Sequence, residues 1–319
     1  MQIDLTADAG LYRGVTQCLP EAGGVLELSR MSMRLKELYS ASEAANIRAC
    51  CATGVRLLFE TDSPWLRLCW RPLRFAREVH TCDVEVEGYP VLTALAPEKV
   101  GGNCRVQVDL PGQGVRRVTV YLPHLRELRL LSLELADQAV FRTVAETRPR
   151  LLLLGDSILQ GMTTTSPSKA YATAVARSLN LDYLNLAVGG AVMNGEVAEA
   201  AVELPWDMAL VAFGVNDCNQ QVGLDAETRQ TEKTLRALTA TGKPAVLFTP
   251  LPWPGQGDKN LGEYIACQKK VASQFPGVTV LDGYDAITID QENFIDTCHP
   301  NDLGNSRIAE FLLKTLPRL

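Results

Sequence analysis

An α/β protein with a parallel sheet covered on both faces, led by an antiparallel β-sandwich, is the fold class that three observations predict. From about Gly54 to Asp137 the apolar residues alternate with a period of two. After Arg150, apolar runs rich in Val, Leu and Ala alternate with amphipathic stretches. At 319 residues the chain is long enough for two domains, each with its own core. The change of period sets an expected boundary near residue 147, giving a sandwich domain over 1–147 and a second domain over 148–319.

In chain order, the first thirty residues read as irregular or as short strands, and Arg30 to Tyr39 as a helix. Strands are expected at Val55 to Glu60, Trp65 to Trp70, Cys82 to Glu87, Cys104 to Leu110, Arg117 to Leu122 and Leu128 to Leu135. Pro and Gly turns separate them, the grammar of an antiparallel sandwich. Trp65 and Trp70 are five apart on one strand and so should face opposite ways, which gives at least one of them to the core.

In the second half, strands are expected at Leu151 to Leu154, Tyr183 to Val188, Met208 to Phe213, Ala245 to Thr249 and Val278 to Leu281. Helices fill the intervals at Lys169 to Leu179, Glu196 to Val202, Glu227 to Thr239 and Tyr264 to Phe275, with a last one at Leu303 to Leu316. Such an alternation implies a parallel sheet between two helical layers.

Composition narrows the function classes. The net charge is −6, and residues 151–319 hold 12 Lys and Arg against 19 Asp and Glu. That disfavours nucleic acid and other polyanions as partners. No run approaches the roughly 20 apolar residues of a membrane span, and the start at Met1 lacks the basic and apolar regions of a signal peptide. Nine cysteines without framework spacing read as reduced thiols, so a cytoplasmic protein is expected, with no membrane partner. No His/Cys cluster suggests a metal, and no cofactor motif stands out.

The chemistry lies at the ends of the predicted strands of the second half, where open α/β sheets place their ligands. Ser157 follows the first strand and a Gly155-Asp156 turn. As a lone feature it would read as a helix N-cap. His299 is the only histidine in residues 151–319, His80 and His124 lying in the other half. If Ser157 has an imidazole base from its own domain, that base is His299, and Asp296 stands three residues earlier, within reach of Nδ1–H. The oxyanion formed by serine attack needs donors aimed at it. The Ser157 N–H, the Gly190 N–H after the second strand and the Asn216 amide after the third are the candidates, with Gly189 a neighbouring competitor to Gly190. Taken singly, Gly189-Gly190 and Gly214 to Asp217 would read as turns.

These motifs, Gly155-Asp156-Ser157, Asn185 to Gly190, Gly214 to Asp217 and Asp296 to His299, resemble in order and spacing the blocks of the SGNH (GDSL-type) hydrolases. The resemblance covers residues 150–319, and the placement of the glycine donor five residues after Asn185 rests on the family's spacing. It implies a flavodoxin-like three-layer α/β/α domain that hydrolyses esters without metal or cofactor. The β-rich first half resembles the jelly-roll-like domains that precede some SGNH esterases acting on acetylated sugars. A short acyl ester of a sugar or other hydroxylated small molecule is therefore the expected substrate, with acyl transfer to an alcohol as the alternative. Asp156 and Trp253 are expected at the substrate-binding side, Trp253 either stacking on substrate or held as a structural indole in its Pro-rich loop. Assembly into an oligomer is compatible with the sandwich. A binding module with a relic site is disfavoured by the complete set of five groups, and a phosphate loop at Gly155 to Gly161 lacks the P-loop lysine.

Overall fold

The computed structural model describes residues 1–88, 92–95, 99–100 and 102–317. The chain divides into two compact units. One comprises Met1–Ser32, Cys50–Thr147 and Thr165–Ser168; the other comprises Met33–Ala49, Arg148–Thr164 and Lys169–Leu319. A short N-terminal segment is thus grouped with the second unit.

The first unit is a sandwich of antiparallel strands. One sheet runs in the spatial order Gln17–Pro20, Leu26–Ser29, Arg126–Leu135, Trp65–Phe75, Asn103–Asp109 and Lys99–Val100, with Gln2–Ile3 paired to Arg126–Leu135. The other runs Phe141–Thr143, Arg56–Thr61, Arg116–Tyr121, Thr81–Val86 and Leu92–Leu95, with Tyr12–Arg13 paired to Arg56–Thr61. Alternation along each strand sends Leu57, Phe59, Leu66, Leu68, Val118 and Val120 into one core, as two packed sheets require. Trp70 is fully buried, whereas Trp65 on the same strand stays partly exposed beneath the Arg67 guanidinium. Strand positions agree with the sequence expectation to within a few residues.

The second unit holds five parallel strands, Arg150–Gly155, Asp182–Asn185, Met208–Ala212, Ala245–Phe248 and Val278–Leu281. Their spatial order is second, first, third, fourth, fifth, the flavodoxin-like order, with its switch point beside the first strand. The helices are α1 (Met33–Leu38), α2 (Glu43–Cys50), α3 (Ser157–Gln160), α4 (Tyr171–Ser178), α5 (Gly195–Ala201), α6 (Val215–Asn219), α7 (Leu224–Thr239), α8 (Leu261–Ala272) and α9 (Asp302–Thr315).

Leu151 and Leu153 share a core with Tyr171 and Val175 of α4 and with Ile308 and Leu312 of α9. Leu152 and Leu154 point to the opposite face and are equally buried. On that side α5 packs on α7 and α7 on α8, completing a three-layer α/β/α arrangement. Two details differ from the sequence expectation. A helix, α2, occupies residues that carried no expected element, and Asn216 sits in α6 where a turn was the local reading. Gly214 makes the entry to α6: its φ is +136°, and a Cβ there would lie 2.4 Å from Pro250 Cγ, so only glycine enters the helix without strain.

Candidate active site

The first strand ends at Gly155, and Asp156 caps α3 by accepting the Ile158 N–H at 2.9 Å. That cap sets Ser157 as the first helical residue. Gly161, at φ +75°, closes the helix one turn later. Gly155 has no room for a side chain, since a Cβ would fall 2.7 Å from the Ala212 carbonyl oxygen. The nucleophile candidate therefore sits on a turn pressed against the neighbouring strand.

His299 lies on a loop closed by a bridge between Phe294 and Pro300. Asp296 organises this loop: its Oδ1 accepts the N–H groups of Cys298 at 2.8 Å and His299 at 2.7 Å. The His299 ring is held at the same carboxylate, with Nδ1 at 2.9 Å from Oδ2. Burial alone would raise the Asp296 pKa, but these hydrogen bonds and the ring outweigh it and hold the carboxyl below the usual range. An ionised carboxylate can only accept, so Nδ1 carries the proton and Nε2 is left as the acceptor. Nε2 lies 2.9 Å from Ser157 Oγ, and the serine hydroxyl donates to it.

The Pro-rich segment after the fourth strand braces this loop from outside. Gly255 donates its N–H to the Thr297 carbonyl at 2.7 Å, and a Cβ on Gly255 would fall 2.8 Å from that oxygen. Trp253 does not line an open face: it is 7 % exposed, packs in the core of the second unit and carries the Lys259 ammonium over its ring. Its burial in one core with Leu251 favours the structural indole over stacking on substrate.

Gly190 follows the second strand at φ +80°. Among the described residues no protein acceptor takes its N–H, whereas Gly189 donates its own to Gln160 Oε1 at 2.8 Å. The Asn216 amide lies 3.1 Å from the Ala191 carbonyl and 3.3 Å from Asp156 Oδ2. Asp156 faces the protein interior: burial pushes its carboxyl up to about 7 despite the backbone N–H groups that favour ionisation. Behind α6, Asp217 and Glu227 are both fully buried. Burial, and then the Glu227 carboxylate, raise the pKa of Asp217, whose Oδ1 accepts the Met193 N–H at 2.8 Å.

The structure thus brings Ser157, His299 and Asp296 into one hydrogen-bonded chain, with Asn216 beside Asp156. Sequence reasoning missed Arg48, Gln160 and Gln220, all of which bond the Gly189-Gly190 turn. No spacing signal could have found Arg48, which lies 141 positions before Gly189. Among the described residues no cluster of three or more His, Cys, Asp or Glu could hold a metal, and no helix is long and apolar enough to cross a membrane.

Solved structures share this fold. The salicylyl-acyltransferase SsfX3 of a tetracycline biosynthetic pathway matches over 100 % of this chain and 99 % of its own, with a TM-score of 0.86 at 23 % identity. A GDSL-like lipase from Bacteroides ovatus matches over 88 % of this chain and 86 % of its own (TM-score 0.71, 20 % identity). A family two carbohydrate esterase from Cellvibrio japonicus matches over 99 % and 96 % (TM-score 0.66, 13 % identity). No curated protein sequence matches significantly. The family model described as GDSL-like lipase/acylhydrolase matches residues 153–307, the stretch that carries Ser157, Gly190, Asn216, Asp296 and His299. Residues 153–307 thus resemble a GDSL-like lipase/acylhydrolase domain, which marks the chain as an enzyme.

Proposed function

We propose that the protein is a carboxylester hydrolase that removes a short acyl group, acetyl first, from a sugar or other hydroxylated small molecule through an acyl-Ser157 intermediate. The observation that carries this reading is the 2.9 Å contact of His299 Nε2 with Ser157 Oγ, with Nδ1 held on Asp296. Ser157 Oγ attacks the acyl carbonyl as His299 takes its proton, and Asp296 stabilises the imidazolium. The carbonyl oxygen becomes an oxyanion met by the N–H groups of Ser157 and Gly190 and the Asn216 amide, each such donor contributing on the order of 3 kcal/mol to the transition state. His299 then gives its proton to the leaving alkoxide. Water, deprotonated by the same imidazole, attacks the acyl-enzyme, and its proton returns to Ser157 as the acid leaves.

A short acyl group on a hydroxylated compound is favoured by the two-domain likeness to family two carbohydrate esterases. A second reading keeps Ser157 and replaces water by an alcohol acceptor; the end-to-end likeness to a salicylyl-acyltransferase favours it. Turnover of p-nitrophenyl esters of increasing acyl length, with and without added alcohols and with product analysis, separates the two. Ser157-dependent release of free acid, fastest with acetyl, is the expected result. An acylated alcohol with little free acid would replace hydrolysis by transfer.

A further inference from the structure

The turn that carries Gly190 is tied to a helix from the far N-terminal part of the chain. Arg48, in the last turn of α2, donates from Nη1 to the Gly189 carbonyl oxygen at 2.9 Å. Gln160, the last residue of α3, donates from Nε2 to the Arg48 carbonyl at 2.9 Å and accepts the Gly189 N–H at 2.8 Å. Gln160 is fully buried. The three contacts form a closed ring joining α2, the helix that starts at Ser157, and the Gly189-Gly190 turn. The arginine stem fills the space that side chains would need there. A Cβ on Gly189 would lie 3.1 Å from Arg48 Cδ and 2.4 Å from Met162 Cε, and one on Gly190 would lie 2.9 Å from Arg48 Nη1.

The Gly189 carbonyl and the Gly190 N–H belong to one planar peptide, so fixing the direction of the C=O fixes that of the N–H. A cationic donor on the carbonyl also polarises the peptide and strengthens the N–H as a donor. We infer that Arg48 is a positioning residue for the reaction: it aims and polarises the Gly189–Gly190 peptide so that the Gly190 N–H meets the oxyanion. This rests on the assignment of the Gly190 N–H as an oxyanion donor. It also gives α2 a task in catalysis that its place in the sequence does not suggest.

The test uses the full chain with Arg48→Ala, Arg48→Lys and Ser157→Ala, a neutral acetyl ester as substrate, and melting curves for every variant. For Arg48→Ala, kcat is expected to fall about tenfold or more with KM within about twofold, since removal of a whole oxyanion donor costs a hundredfold or more. Millimolar guanidinium should restore part of that kcat, and should do nothing for Ser157→Ala. Arg48→Lys retains the stem and a charge, so it should fold as the parent does and fall between Ala and Arg in kcat. An unchanged kcat in Arg48→Ala, a loss carried by KM alone, or a loss that tracks a lowered melting temperature and ignores both guanidinium and Lys would each overturn the inference. Those results with Ser157-dependent turnover intact would remove only the role of Arg48. Turnover that survives in Ser157→Ala would instead remove the reading on which it rests.

Discussion

The Asn216 amide nitrogen lies 3.3 Å from Asp156 Oδ2, so the side chain proposed to meet the oxyanion is held beside the residue that caps the helix starting at Ser157, and this longer of its two contacts is the one an oxyanion would replace. A second acceptor, the Ala191 carbonyl, holds the same amide at 3.1 Å. Asn216→Ala removes the donor while leaving Ser157 and His299 in place. The expected outcome in steady-state kinetics is a kcat lowered about a hundredfold or more with a smaller change in KM. An equal kcat would exclude Asn216 from the oxyanion site.

Asp156 makes stability depend on pH. Its carboxyl titrates at about 7 when folded and near 3.8 when exposed, burial being the largest cause. The folded state thus holds the proton more tightly, so the stability this group contributes is complete below about pH 4 and is lost as the pH rises to about 7. The scale is about 1.4 kcal/mol per pKa unit. Asp156→Asn keeps an acceptor for the Ile158 N–H and removes the titration. Melting temperatures measured from pH 4 to 9 should fall less for the variant than for the parent; parallel curves would contradict the assignment.

The Asp217 and Glu227 pair acts in the same direction. Burial and the Glu227 carboxylate raise the pKa of Asp217, so its contribution is present in acid and lost as the pH rises toward alkaline values. Asp217→Asn can still accept the Met193 N–H and should flatten the alkaline decline in melting temperature. Asp217→Ala leaves that N–H without its acceptor and should cost about 1–3 kcal/mol at neutral pH. Equal behaviour of the two variants would show that the Met193 contact carries no weight.

Gly255 tests the brace on the histidine loop. A Cβ there would fall 2.8 Å from the Thr297 carbonyl and 2.9 Å from Thr297 Cβ. Gly255→Ala must displace residues between Asp296 and His299, and kcat should fall roughly tenfold because small misplacements of a base are costly. Wild-type kcat would mean that the loop absorbs the methyl group without moving His299.

Much of this architecture is legible in the residues, and the exceptions share a cause. The parallel sheet is legible because its strands are buried on both faces and read as unbroken apolar runs, Leu151 to Leu154 above all. The sandwich strands show through their alternation. Helix α2 is not legible: Glu43-Ala44-Ala45-Asn46-Ile47-Arg48-Ala49-Cys50 lacks a clean apolar stripe, and its Ala49 alone is fully buried. Ser157 and His299 could be paired from sequence because residues 151–319 hold only one histidine. Arg48 and Gln160 could not, because their meeting is set by tertiary contacts between segments more than a hundred positions apart. Trp253 shows the same limit: the residues leave open whether a tryptophan in a proline-rich loop stacks on substrate or is held as a structural indole, and the packing of its neighbours bears on that choice.

Acyl transfer is proposed to pass through Ser157. The most direct measurement is the mass of the protein and of its Ser157 peptide after acid quench during turnover of p-nitrophenyl acetate. One acetyl group on Ser157, absent in Ser157→Ala and lost with time as acid or acylated alcohol forms, is the predicted result. Turnover that persists in Ser157→Ala, or acetyl found on another residue at a rate that accounts for product, would contradict it.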